Sequence, residues 1–210
     1  MSSRLSADAR LAGVAVLQQG VFSRAQATAA GFSAAQIERR VRAAAWKREL
    51  PRVYRNAATP ASTALSYWAA VLWAGPECVV SHASAAAIWR IPVAPVDRPE
   101  LIVPKARGPR VAGVVVHRVT RIDVQDVVRV EGLPVTSPAR TIIDLAGVLA
   151  QGELELALAS ARSRRLVTAR SVGIRLDQLG MLGRPGAGRL RALLEAIGSR
   201  GAEPSVRMAG

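Results

Sequence analysis

"VFSRAQATAAGFSAAQIERRV" (21–41) carries one four-residue pattern twice: Ser23-Arg24-Ala25-Gln26 and Ser33-Ala34-Ala35-Gln36 both read S-x-x-Q. In that pattern the Ser side chain accepts from the amide three residues on, and the Gln side chain reaches back to the Ser amide. Each copy therefore predicts a helix start. The interval leaves room for a short helix over 24–30, a turn at Gly31, and a further helix from Ser33 to about Ala44. Gly suits the turn because a left-handed residue commonly ends a helix.

Upstream, Leu5, Ala9, Ala12 and Val16 recur at helical spacing and predict a first helix over 5–19, ending before Gly20. Val21-Phe22 precede the first Ser cap as a hydrophobic staple. Downstream the period changes. In "WKRELPRVYR" (46–55), Trp46, Arg48 and Leu50 alternate, Pro51-Arg52 can turn, and Val53-Tyr54 resume β-formers, which reads as a hairpin. Three helices and then a hairpin is the order of a winged helix-turn-helix, whose last helix is presented to the DNA major groove.

On a helical wheel for 34–44, Ile37 centres a buried stripe with Val41, Ala34 and Ala44. Ala35, Gln36, Arg39 and Arg42 fall on the far side, with Arg40 on the flank. These five are the candidates for base readout. Gln can pair bidentately with adenine and Arg with guanine, and Ala can touch a thymine methyl. Ser23, Arg24, Ser33, Lys47, Arg48, Arg52 and Arg55 are the candidates for phosphate contacts, which fix register without reading sequence. The competing readings are a helical bundle with a solvated basic face, or a winged helix that mediates protein contacts.

The charge agrees with a polyanionic partner. The 210 residues carry a net +14, and residues 1–60 hold ten Lys/Arg against three Asp/Glu, half the excess in under a third of the chain. Half the residues are hydrophobic, enough for a sizeable core. The single cysteine, Cys78, excludes an internal disulfide and fits a reducing cytoplasm. No cofactor or metal is expected, because His82 and His117 with one cysteine match no familiar ligand spacing. No membrane span is expected either: the longest uncharged run, 56–76, is polar in its first half. The N-terminus lacks the pattern of a signal peptide.

Beyond a Pro60-containing linker the pattern is mixed. It predicts a helix over 61–74, a strand at 78–81, a helix over 83–90, and strands at 100–103 and 114–119. "DVVRVEGLPVTS" (126–137) reads as a hairpin turning at Glu131-Gly132. Ser137-Pro138 then caps the first of four helices, about 138–149, 152–165, 169–179 and 187–197. The expected fold class is α+β: a winged helix-turn-helix (1–57), a mixed α/β domain with a helical C-terminal part (58–199), and a flexible tail (200–210).

The segment "GVFSRAQATAAGFSAAQIERRV…WKRELPRVYR" resembles the N-terminal domain of AbiEi-type antitoxins of type IV toxin–antitoxin systems. "SHASAAAIWRI" (81–91), "VHRV" (116–119) and "GLPVTSPARTIIDLA" (132–146) are similar to the same group. The resemblance implies a non-enzymatic regulator that represses its own operon through double-stranded DNA. It also implies a C-terminal domain that engages a toxin, with a nucleotidyltransferase-like protein as partner. The chain departs from many members in two respects. The very-short-patch-repair-like endonuclease domain found in many relatives is expected to be lacking, and Arg52 stands where many have a wing glycine. Two alternatives stay open: a truncated, catalytically inactive member of a nuclease-fused family, and a protein-interaction module without DNA binding.

Other constellations carry bland readings. Asp97, Glu100 and Lys105 are misspaced for a nuclease site, and the last two would point to opposite faces of an extended segment. Arg140 and Asp144 form an i,i+4 pair, either on the surface or locking a helix onto the hairpin. Ser81-His82 is expected to be structural, since adjacent residues are not expected to set the ring against the hydroxyl. Trp68, Trp73 and Trp89 are expected in the core. Arg162, Arg164, Arg165 and Arg170 make a second basic cluster with no assigned partner.

Overall fold

A computed structural model describes residues 6–105, 110–180 and 183–200. Both S-x-x-Q segments form complete capping boxes. Ser23 starts helix α2 (Arg24–Ala30) and Ser33 starts α3 (Ala34–Arg42), each with its hydroxyl on the N3 amide and the Gln side chain returning to the cap amide. Gly31 ends α2 at φ +110, where a Cβ would be strained. Helix α1 (Ala7–Val16) precedes them, shorter than the periodicity predicts.

Val21–Ser23 does more than the staple expected of it. It is strand β1, paired antiparallel with β3 (Val53–Asn56), which pairs in turn with β2 (Trp46–Leu50). The wing is thus the β2–β3 hairpin of a three-stranded sheet ordered β1-β3-β2. A three-residue strand has too little alternation to be read locally; the ladder with β3 defines it. Leu11, Phe22, Ala27, Phe32, Ile37, Trp46 and Tyr54 form the core beneath. Phe22 and Phe32 each meet Trp46 edge to face, at 4.7 and 5.1 Å between centroids, contacts worth about 0.5–1.5 kcal/mol each beyond their buried area. The predicted α3 stripe is narrower than expected: Ile37 is fully buried, but Ala34 and Ala44 are exposed.

Helix α4 (Thr63–Ala74) follows, capped by Ser62. Its two sides serve two cores. Leu65 and Ala69 pack against Val21 and Val53 of the wing sheet, while Tyr67, Ala70 and Val71 join the core of a second sheet. That sheet is ordered β6-β5-β4-β8-β7, from β4 (Val79–Val80), β5 (Glu100–Pro104), β6 (Val115–Val119), β7 (Val127–Val130) and β8 (Leu133–Thr136). The β7–β8 hairpin turns at Glu131-Gly132 as the sequence predicts, both at positive φ, the requirement of a type I′ turn.

Helix α5 (His82–Ile88) leaves β4, and α6 (Pro138–Leu145), α7 (Gln151–Ser163), α8 (Ala169–Leu179) and α9 (Ala187–Arg200) cover the C-terminal core. Ser137 caps α6 with Pro138 in its first turn, as read from the sequence. Gly186, at φ +74, brings the chain against the end of α6: a Cβ there would sit 1.7 Å from the Ala146 carbonyl oxygen, so no other residue fits. The fold is α+β. The expected tail from 201 on lies outside the described residues.

Candidate nucleic-acid interface

The twelve residues expected at a DNA surface divide by what their side chains already hold. Ala35, Arg39 and Arg42 are exposed on α3. Among the described residues, the side chains of Arg39, Arg42, Lys47 and Arg52 make no hydrogen bond or ion pair, so their charges face solvent. Arg52 occupies the wing turn at φ +65, taking with a Cβ the left-handed conformation that glycine favours.

Gln36 is exposed but partly committed. Its Oε1 accepts from the Ser33 amide at 2.7 Å. A bidentate adenine contact also uses that oxygen as acceptor, so the two would share one atom; its second lone pair and the Nε2 donor stay available. The Ser23 and Ser33 hydroxyls likewise accept from the Gln26 and Gln36 amides.

Arg40 lies differently from the flank position expected of it. Its guanidinium stacks 4.8 Å from the Phe32 centroid and 5.3 Å from that of Trp46, and it pairs with Asp8 at 3.0 Å. It therefore seals the aromatic core. Arg55 turns inward too: Nε donates to Glu49 at 2.5 Å, and Nη1 donates to the Thr59 carbonyl, which ties the wing to the following linker. Arg24 and Arg48 converge on Glu38, at 3.2 and 3.8 Å, and Arg48 also lies over the Tyr54 ring. These two are half-neutralised and exposed enough to exchange Glu38 for a phosphate. The α3 face thus leaves Arg39 and Arg42 exposed, and the wing leaves Lys47 and Arg52, with Arg24 and Arg48 shared with Glu38 behind them.

A second concentration of polar groups lies in the C-terminal half. Arg140 is fully buried, so the surface reading of the Arg140–Asp144 pair fails and the locking reading holds. Arg140 donates to Asp144 at 2.8 Å and to Asp126 at 2.7 Å; Arg175 donates to Asp126 at 2.6 Å and to Asp123 at 2.7 Å. Burial works against the Arg140 charge, but Asp144 and Asp126 outweigh it and hold its pKa above the ordinary value. The network fastens the single 3-10 turn over Val124–Asp126 to α6 and α8. Sequence reasoning missed Asp126, because a partner 14 residues away in a loop leaves no periodic signal.

Ser81 Oγ lies 2.9 Å from His82 Nδ1, so adjacent residues do bring ring and hydroxyl together here. The left-handed backbone of His82, φ +49, makes this possible. Ser81 is fully buried. The His82 ring stacks on His117 at 3.6 Å, and His117 Nε2 meets Glu100 Oε2 at 2.7 Å. Sequence spacing did not foresee this cluster, because three segments contribute one residue each. Trp68, Trp73 and Trp89, expected in the core, are half-buried against it, and Trp89 Nε1 donates to the Thr136 carbonyl at 2.7 Å. Within the second basic cluster, Arg164 donates to the Trp89 and Arg90 carbonyls and so serves the fold.

No family model and no curated protein matches the chain. A solved structure, the RV2827C protein from Mycobacterium tuberculosis, is similar over 92% of this chain and 83% of that one, at 17% identity and a TM-score of 0.45. Among the described residues, no helix is long and apolar enough to cross a membrane.

Proposed function

We propose that the chain is a cytoplasmic, non-enzymatic DNA-binding transcriptional regulator of the AbiEi antitoxin type, whose C-terminal domain engages a nucleotidyltransferase-like toxin. The observation that carries the DNA half is the α3 face. Arg39 and Arg42 stand exposed with no side-chain partner among the described residues, on a helix whose start is fixed by a capping box and whose opposite side is anchored by buried Ile37. Beside it the wing presents Lys47 and Arg52. This arrangement supports an interface in which α3 reads base edges and the wing neutralises phosphates. The toxin half rests on the sequence resemblance alone.

The test is binding of the full chain to its own upstream DNA and to random DNA. Arg39→Ala and Arg42→Ala are each expected to cost about 1–3 kcal/mol on the specific site and much less on random DNA. An unchanged specific-to-random ratio in both folded variants would reject α3 as the reader. Absence of any DNA binding would leave the winged helix as a protein-interaction module. For the toxin half, co-expression with a neighbouring nucleotidyltransferase-like gene is expected to relieve its toxicity; failure to bind or to rescue would remove the antitoxin assignment.

A further inference from the structure

We propose that His82, Glu100 and His117 form a binding site for a divalent transition-metal ion of the zinc type, with an open coordination position facing the cavity beside them. Two imidazoles and one carboxylate are a donor set that zinc and its neighbours accept. The three residues come from three elements: the first residue of α5, the first of β5 and the middle of β6. Their donor atoms all lie within 4.8 Å of one another. Bonds of about 2.0–2.2 Å put tetrahedral ligand atoms roughly 3.4 Å apart, so binding needs the widest pair to close by somewhat more than an ångström.

The cluster has room to make that movement. His117 stands on β6, the outermost strand of its sheet, and its side chain is 28% exposed. Stacked rings at 3.6 Å do not aim both lone pairs at one ion, so His117 would swing off the stack toward the cavity. The hydrogen-bonded proton between His117 Nε2 and Glu100 Oε2 occupies the ion's place. On binding it moves to Nδ1 of the same ring or leaves to solvent, and the Nε2 lone pair and the carboxylate turn to the metal.

His82 is prepared for the role by its surroundings. With Nδ1–H donating to Ser81 Oγ, 2.9 Å away, Nε2 carries the lone pair for an ion, the usual outer-shell device for orienting a ligating imidazole. This use of Ser81 comes at the expense of its normal one, for the hydroxyl makes no capping bond to α5. The positive φ of His82 is a strained conformation for a side-chain-bearing residue, of the kind that clusters at ligand sites.

Access is provided by a half-open cavity of about 670 Å³, lined by both histidines, Asp144 and the cations Lys105, Arg118, Arg121 and Arg184. The Asp144 Oδ2 atom on its wall is buried without a hydrogen-bond partner. The four cationic side chains would repel a bare dication. Glu100 offsets part of that repulsion, and an anionic fourth ligand such as phosphate or a carboxylate would offset the rest. The contrary account is a purely structural Glu–His pair joining β5 to β6.

The experiment uses the full chain, freed of any affinity tag and stripped with a chelator. Zinc is titrated calorimetrically, and cobalt is added as a spectroscopic substitute. The expected results are one equivalent bound, the visible bands of a low-symmetry four- or five-coordinate cobalt site, and a rise in melting temperature with zinc. Glu100→Gln and His117→Gln, checked for folding by circular dichroism without metal, should each weaken zinc at least about tenfold, on the scale seen when metal-site residues are lost. Ser81→Ala should weaken it less. No zinc or cobalt binding by the wild-type chain, or affinity unchanged in both folded variants, would overturn the proposal. Should a variant fail to fold, the wild-type cobalt spectrum and zinc-dependent melting decide.

Discussion

Arg55 and Arg39 have the same side chain within one small domain, and their surroundings send them to different tasks. Arg55 is nearly enclosed, paired with Glu49 and donating to the carbonyls of the linker. Arg55→Ala is therefore expected to lower the melting temperature and leave Glu49 partly buried without its cation, at a cost of about 1–3 kcal/mol. Once corrected for folded fraction, its DNA affinity should stay near wild type. A DNA defect without a stability defect would return Arg55 to the phosphate-contacting set. Arg39 shows the opposite behaviour: its alanine variant should keep the melting temperature and lose specificity. Asp123 gives a pH dependence at this scale. Its hydrogen bond from Arg175 chiefly, and then the Arg121 charge and hydrogen bond, hold its pKa below the ordinary carboxylate value. A depressed folded-state pKa contributes stability that is fully present above the unfolded value, near pH 4, and is lost as pH falls through the folded value. Asp123→Asn should therefore be less stable than wild type at neutral pH, with the gap closing on acidification below pH 4 in urea titrations. A gap constant with pH would show that the Asp123 charge contributes nothing.

At the scale of elements, α4 couples the two halves. The sequence places it in the second domain, but Leu65 and Ala69 cover Val21 and Val53 of the wing sheet. Leu65→Ala should cost about 2–5 kcal/mol. A fragment of residues 1–57 should melt well below one of residues 1–75, because the shorter one leaves the back of the wing sheet in water. Equal melting temperatures would make α4 dispensable to the winged helix and restore the boundary at residue 57. The capping boxes, by contrast, belong to their own helices and were legible locally: each needs only four consecutive residues.

For the whole molecule, the net +14 and its concentration in the first 60 residues set the salt response. Affinity for DNA should fall linearly in log–log form with salt, with a slope of about 0.9 per phosphate neutralised. Lys47→Ala and Arg52→Ala should each reduce that slope by about one on specific and random DNA alike. A slope near zero in wild type would reject an electrostatic interface.

The sequence by itself determined the order of the helices and of every later strand but not β1, together with both capped helices and the glycine between them, the Glu131-Gly132 turn, the start of α6, and the basic excess. Each of these is written in neighbouring residues, through caps, turn chemistry and the helical period. The tertiary structure decided what contact between distant residues decides. It made β1 a strand through pairing with β3, and it gave α4 to two cores. It spent Arg40 and Arg55 on packing and ion pairing while leaving Arg39 and Arg42 exposed, and it tied Gln36 Oε1 into its helix cap. It also buried Arg140 against Asp126, and it gathered His82, Glu100 and His117 into one cluster beside a cavity. A side chain's periodicity gives the face it occupies, but which partner waits there depends on strands and helices brought together from elsewhere in the chain.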